Sequence, residues 1–171
     1  MIQYNSFMRC LMRHMKTAVV LCALWAAAAV WLTACTNEDQ AGDKLSAADV
    51  GAAIRQAVKL DELKEGDLAK LNKLYHLDAG DVDSFMLLTS LSNVRADEVA
   101  VIKVKDPARI EAVKAAAARR IEEQIPKFRD YVPEQYQLLE RHVIAEKGRF
   151  LLLAVSGEAD EIERAFFEAL K

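Results

Sequence analysis

Residues 46–171 predict an α+β fold: a duplicated β-β-α unit forming a four-stranded antiparallel sheet with helices on one face, preceded by an N-terminal helix or helix pair. Three observations carry this reading. Apolar runs at 82–91 and 97–105, and again at 141–146 and 149–155, are joined by short polar turns, the pattern of two hairpins. Each hairpin is followed by a stretch whose apolar residues recur at helical spacing. A further amphipathic stretch precedes the first hairpin.

The first helix starts at Ser46, an N-cap residue, with Asp49 standing in for the usual Glu of a capping box. Val50, Ala53, Ile54, Ala57 and Val58 make one apolar stripe that ends near Leu60. A shorter helix covers 67–75, with Leu68, Leu71 and Leu74 inward, and residues 77–81 turn. In the first strand Phe85, Leu87 and Leu91 share one face while Met86 and Leu88 share the other, so the strand is internal. The N-terminal helix is accordingly expected on the sheet face that the other helices leave bare. Asp106-Pro107 opens the next helix as N-cap and N1, with Ile110, Val113, Ala117, Ile121 and Ile125 inward and Pro126 as its end. A connection with a helical turn after Pro133 leads to the second hairpin, which turns at Lys147-Gly148. The last helix follows Ser156-Gly157, with Ile162, Ala165, Phe166 and Ala169 inward.

The first 35 residues are built differently. All 26 acidic residues of the 171-residue chain follow Cys35 and three of the 23 basic ones precede it, which leaves a net charge of −6 on the remainder. Arg9, Arg13 and Lys16 come before an uncharged run from Thr17 to Cys35, the basic and apolar regions of a secretory signal. The run closes on Leu32-Thr33-Ala34-Cys35, which resembles a bacterial lipobox. That resemblance implies diacylglycerol on the Cys35 sulfur and cleavage just before it. Residues 1–34 are then a lipoprotein signal peptide, 35–45 the lipidated cysteine and a polar tether, and 46–171 a single domain. An uncleaved membrane helix is the competing reading, since roughly 18 apolar residues are just enough to span a bilayer. Both readings place the domain outside the cytoplasmic membrane; the first anchors it by lipid to the outer face. Cys10, Cys22, Trp25 and Trp31 all fall in the leader, so the domain carries no thiol chemistry. Nine tether residues, 36–44, reach about 30 Å at most.

Composition narrows the function. A chain with 53% apolar and 29% charged residues builds a core, and its net charge of −3 argues against a nucleic-acid partner. His76 and His142 stand singly and lack metal-ligand spacing. Asp78, Asp81 and Asp83 beside Gly80 suit a turn better than a calcium loop. No serine sits in a glycine-framed elbow, and the six glycines form no phosphate loop. The reading therefore assigns no catalytic residue, no metal and no cofactor. A small cell-envelope hydrolase using Ser90 or Ser92 with His142 is one alternative; a small-ligand-binding lipoprotein is another. The leading reading is a non-enzymatic binding or accessory module. Its candidate surface is the polar end of the first hairpin, Ser92, Asn93, Arg95 and Asp97, with the basic-aromatic connection Phe128, Arg129, Tyr131 and Tyr136. The expected partners are the bilayer through diacylglyceryl Cys35 and an envelope protein or wall component.

The stretches Leu74-Tyr75-His76-Leu77-Asp78, residues 89–101 and residues 131–136 resemble a family of small lipoproteins from Gram-positive, mainly clostridial, bacteria, classed as a domain of unknown function. The likeness covers most of 46–171. It implies a lipoprotein at the membrane's outer leaflet and supplies no catalytic residues.

Overall fold

The computed structural model describes residues 44–171, which lie within the second of two compact units, Asp39–Lys171. The leader, Cys35 and nearly all of the tether lie outside the described residues. Along the chain run α1 (Ala47–Ala57), β1 (Leu63–Glu65), α2 (Leu68–Tyr75), β2 (Val82–Ser90), β3 (Glu98–Val104), a 3-10 turn (Pro107–Arg109), α3 (Ile110–Phe128), α4 (Pro133–Glu140), β4 (Val143–Lys147), β5 (Phe150–Val155) and α5 (Ala159–Ala169). The fold is α+β, with a five-stranded antiparallel sheet ordered β1-β2-β3-β5-β4.

Local chemistry sets the helix ends. Ser46 and Asp49 form a complete capping box: the Ser46 hydroxyl accepts from the Asp49 amide at 3.2 Å and the Asp49 carboxylate accepts from the Ser46 amide at 2.8 Å. Asp67 caps α2 by accepting from the Lys70 amide at 2.8 Å. Asp106 caps the 3-10 turn rather than α3 itself. Pro126 does not end α3: it sits in the last turn, and the buried Phe128 carries the helix two residues further. Gly148, with φ of 58°, supplies the left-handed residue of the β4–β5 turn.

Two expectations about the sheet are corrected. It has five strands, not four. Residues 63–65 are too few to show a period, and they become β1 by pairing with Leu88, Thr89 and Ser90 of β2. The helices that follow the two hairpins, α3 and α5, take opposite faces, not one. Every residue of β3 and β5 is buried, so both sides of the central sheet need a cover. On one side α1 and α5 pack over Met86, Leu88, Val99, Val101, Leu152 and Ala154. On the other, α2, α3 and α4 pack over Leu87, Ala100, Ile102, Leu151 and Leu153. The N-terminal helix is thus opposite α3, as its strand pattern implied, with α5 beside it.

The duplication is one of element order alone. The hairpins join through antiparallel β3 and β5. A two-fold that exchanged such strands would stand perpendicular to the sheet and leave both following helices on the same face. α3 and α5 take opposite faces, so no such axis relates the two units.

α1 lies close on the sheet because it crosses at a glycine. A Cβ on Gly51 would sit 2.2 Å from the Met86 sulfur and 3.2 Å from its Cβ. Gly51→Val should therefore force α1 outward and cost about 1–3 kcal/mol, the range for overpacked cores. Chemical denaturation checks this; an unchanged midpoint would contradict the close crossing. Where α1 begins, the Ala47 amide donates to Ser84 Oγ at 2.9 Å and Lys103 Nζ donates to the Leu45 carbonyl at 2.6 Å. The chain enters the domain at the Ser84–Lys103 end of the sheet.

Candidate functional site

At the other end of the sheet β2 finishes and β3 starts. Thr89 and Glu98 are paired there in register and face α3, sharing strand parity with Leu87 and Ala100. A carboxylate at this inward position needs a partner. Arg120, on the inward stripe of α3 with Val113, Ala117 and Ile121, supplies it. Its Nη2 lies 2.6 Å from Glu98 Oε2, and Nε is 3.2 Å from both carboxylate oxygens. The two side chains are 8% and 5% exposed. Tyr75, at the end of α2, donates its hydroxyl to Glu98 Oε1 at 2.7 Å. Burial, and then the adjacent Glu98 charge, push the Tyr75 hydroxyl well above its ordinary value of 10.0.

The sign of that shift makes a prediction. Above the unfolded tyrosine value the unfolded chain loses a proton that the folded chain keeps. Stability is therefore full below about pH 10 and falls as pH rises, by about 1.4 kcal/mol per unit from this one group. Tyr75→Phe should flatten that slope between pH 9 and 11 in paired urea titrations. Equal slopes in the two proteins would contradict it.

Over the Glu98–Arg120 pair lies a cleft of about 320 Å³. α2 contributes Lys70 and Leu74, β2 Thr89 and Ser90, the β2–β3 turn Ser92, Asn93 and Arg95, and α3 Gln124, Lys127 and Phe128. Its charge is specific. Arg120 is neutralised by Glu98, and Arg95 by Asp97 and Glu62 at 3.0 and 2.6 Å. Lys70 Nζ donates to Thr89 Oγ1 at 2.6 Å and Lys127 Nζ to Gln124 Oε1 at 2.9 Å, and neither meets a carboxylate among the described residues. The Ser90 and Ser92 oxygens accept from the amides of Ser92 and Val94, which leaves both hydroxyl protons to donate. The cleft thus offers two unneutralised ammonium groups and two hydroxyl donors in an acidic domain. Two other hollows differ. One, lined by Lys59, Glu62, Arg95, Asp97 and Glu158, has more carboxylates than cations; in the other Arg55 is paired with Glu65.

Of the residues singled out in the sequence, Ser92, Asn93, Arg95, Asp97 and Phe128 line this cleft. Arg129, Tyr131 and Tyr136 do not. The Arg129 guanidinium lies over the Tyr136 ring at 5.7 Å, and the Tyr136 hydroxyl is bound to Glu140, which raises its pKa. Tyr131 is 83% exposed, one turn beyond Phe128. The β2–β3 turn is tied to the first turn of α4, since the Ala96 amide donates to Gln135 Oε1 at 2.7 Å. Sequence reasoning missed Glu98, Arg120, Tyr75 and Lys70. The parity of β3, with Glu98 in line with Ala100, Ile102 and Val104, was the available signal.

The serine–histidine pair of the hydrolase alternative is not assembled. Ser90 ends β2 and His142 precedes β4, three strand spacings apart, about 14 Å. His142 Nδ1 is 2.6 Å from the Leu139 carbonyl instead. The aspartates at 78–83 are also occupied: Asp78 accepts from the Gly80 amide, Asp81 from Arg109, and Asp83 pairs with Lys103. Among the described residues no cluster of three or more His, Cys, Asp or Glu is placed to hold a metal, and no helix is long and apolar enough to cross a membrane.

Residues 56–156 match the model of the family described as Domain of unknown function (DUF4358), and the chain belongs to that family. No curated protein matches the chain. No solved structure matches it either.

Proposed function

We propose that this DUF4358 protein is a lipid-anchored binding or accessory module on the outer face of the cytoplasmic membrane, with the cleft at the Thr89–Glu98 end of its sheet as the binding site. It works without catalysis. The likeness to small Gram-positive, mainly clostridial, lipoproteins supports the anchor, as do the basic-then-apolar leader and the Leu32–Cys35 motif. The observation that carries the binding site is the pair Lys70 and Lys127, two cations without a carboxylate partner among the described residues, in a cleft lined by free hydroxyl donors. Such a lining matches an oxyanion. A second reading, a small-ligand-binding lipoprotein, draws on the cleft's size, which falls in the usual range for small-molecule sites.

The test is cross-linked capture of the full-length protein from its native membrane, wild type beside Lys127→Glu. Lys127 is exposed, so its replacement leaves the fold intact. A partner held by the wild type and lost from the variant is the expected result. The same partners in equal yield would remove the cleft from the binding reading.

A further inference from the structure

The floor of the cleft holds a donor that the fold itself does not use. Arg120 lines the cleft with a side chain that is only 8% exposed. Its Nε and Nη2 both face the Glu98 carboxylate, so the planar guanidinium turns Nη1 away from it. Nη1 is hydrogen-bonded to nothing among the described residues. It is not sealed in either: Asn72 Oδ1 is the one buried side-chain atom without a partner there. The two Nη1 hydrogens therefore open to solvent on the cleft that Arg120 lines.

Lys70 arrives beside this donor. Its Nζ is bound to Thr89, which stands opposite Glu98 on the same face of the sheet. Directly paired side chains have Cβ atoms about 5 Å apart. The ammonium and the guanidinium are thus held over adjacent positions with one carboxylate between them. Lys127 follows on α3, about two turns beyond Arg120. The cleft lining has four cations and two carboxylates, a net of +2, in a domain whose net charge after Cys35 is −6. Each ammonium keeps two hydrogens after its one hydrogen bond. The ligand that suits this lining is doubly charged and rich in acceptors. A carboxylate brings a single charge and two oxygens. A phosphomonoester brings about −1.5 to −2 and three acceptor oxygens. Leu74 and Phe128, each one helical turn from a polar lining residue, add apolar wall, and about 320 Å³ leaves room for an organic group.

Resting on the binding-site reading of this cleft, we propose that its ligand carries a phosphomonoester, seated on Arg120 Nη1 between Lys70 and Lys127, with the organic part against Leu74 and Phe128. Two sources share that chemistry, a small soluble ester and a phosphomonoester lipid headgroup. Lys127 is exposed, so its share of the binding is salt-dependent.

Calorimetric titration of the full-length protein in neutral detergent tests this, with phenyl phosphate, its singly charged methyl diester, benzoate and inorganic phosphate. Phenyl phosphate should bind roughly tenfold tighter than the diester or benzoate. Lys127→Gln, an exposed replacement that leaves the fold intact, should weaken phenyl phosphate roughly fivefold or more. Glu98→Leu with Arg120→Met keeps the net charge of the cleft but removes the floor donor; below its own melting transition it should also bind several-fold more weakly. If that double variant does not fold, the Lys127 arm decides. Equal affinity for benzoate or the diester, no binding of phenyl phosphate up to about 10 mM, or an unchanged affinity in Lys127→Gln overturns the proposal. Flotation with phosphatidic acid vesicles identifies the source: flotation lost in Lys127→Gln supports the lipid headgroup, and its absence beside tight phenyl phosphate binding supports the soluble ester. Should phenyl phosphate fail while Lys127→Glu still loses its captured partner, the phosphomonoester alone is refuted; should both fail, the binding-site reading falls with it.

Discussion

Glu98→Ala is expected to lower domain stability by about 3–5 kcal/mol, because it strands the Arg120 guanidinium in the core. Glu98 fills three roles at once: it neutralises Arg120, accepts from Tyr75, and holds its place in β3 opposite Thr89. For a domain of this size the loss corresponds to a fall in Tm of roughly 12–20 °C. Arg120→Ala should cost a similar amount, since it strands the carboxylate. Replacing both partners, Glu98→Leu with Arg120→Met, removes both charges together and should recover part of the stability, since buried ion pairs often exchange for apolar groups at little net cost while the Tyr75 hydroxyl, left without its acceptor, still costs about 1–3 kcal/mol. Thermal unfolding of the four proteins measures the pattern. If Glu98→Ala melted within a few degrees of wild type, the pair would not be buried as described. The pair also floors the cleft, so the double variant separates the two roles: it should fold and yet present a less polar site.

Cys35→Ser is expected to change the protein's mass more than any substitution in the domain. On the lipoprotein reading the wild type extracted from its native membrane begins at Cys35 and carries diacylglyceryl mass, and the cleavage depends on that lipid. The serine variant should keep residues 1–34 and carry no lipid. Two acyl chains hold a protein firmly where one is marginal, so the wild type should also resist extraction by salt. Fractionation alone is insufficient, because the uncleaved apolar run could itself hold the variant in the membrane. Intact mass is decisive: identical processing of wild type and variant would refute lipidation at Cys35.

Much of the domain could be read from its residues because its local signals agree. Ser46 and Asp67 each precede an apolar helical period and cap the helix that follows, while Asp106 caps the 3-10 turn that leads into α3. The alternation of β2 announced a strand covered on both sides, and α1 does lie opposite α3. What failed was non-local. β1 has three residues and exists through its pairing with β2, which no short window contains. The side chosen by α5 follows from how β3 and β5 join, and not from the α5 stripe itself. At the candidate site, Ser92, Asn93, Arg95, Asp97 and Phe128 were legible as a turn and a connection that carry polar and aromatic groups. Lys70 was not, because α2 comes to the cleft from a distant part of the sequence. Glu98 was hidden in plain view, one acidic residue at the head of an apolar strand.

On the proposed reading the cleft end of the domain meets a partner. Photo-cross-linking in living cells tests it most directly, with a photoreactive residue placed in turn at Asn93, exposed at the cleft, and at Arg164, exposed on α5 across the sheet. The expected result is a discrete adduct from position 93, lost when Lys70 and Lys127 are changed to glutamate, and none from position 164. Adducts from position 164 alone, or from both positions regardless of the lysines, would contradict it.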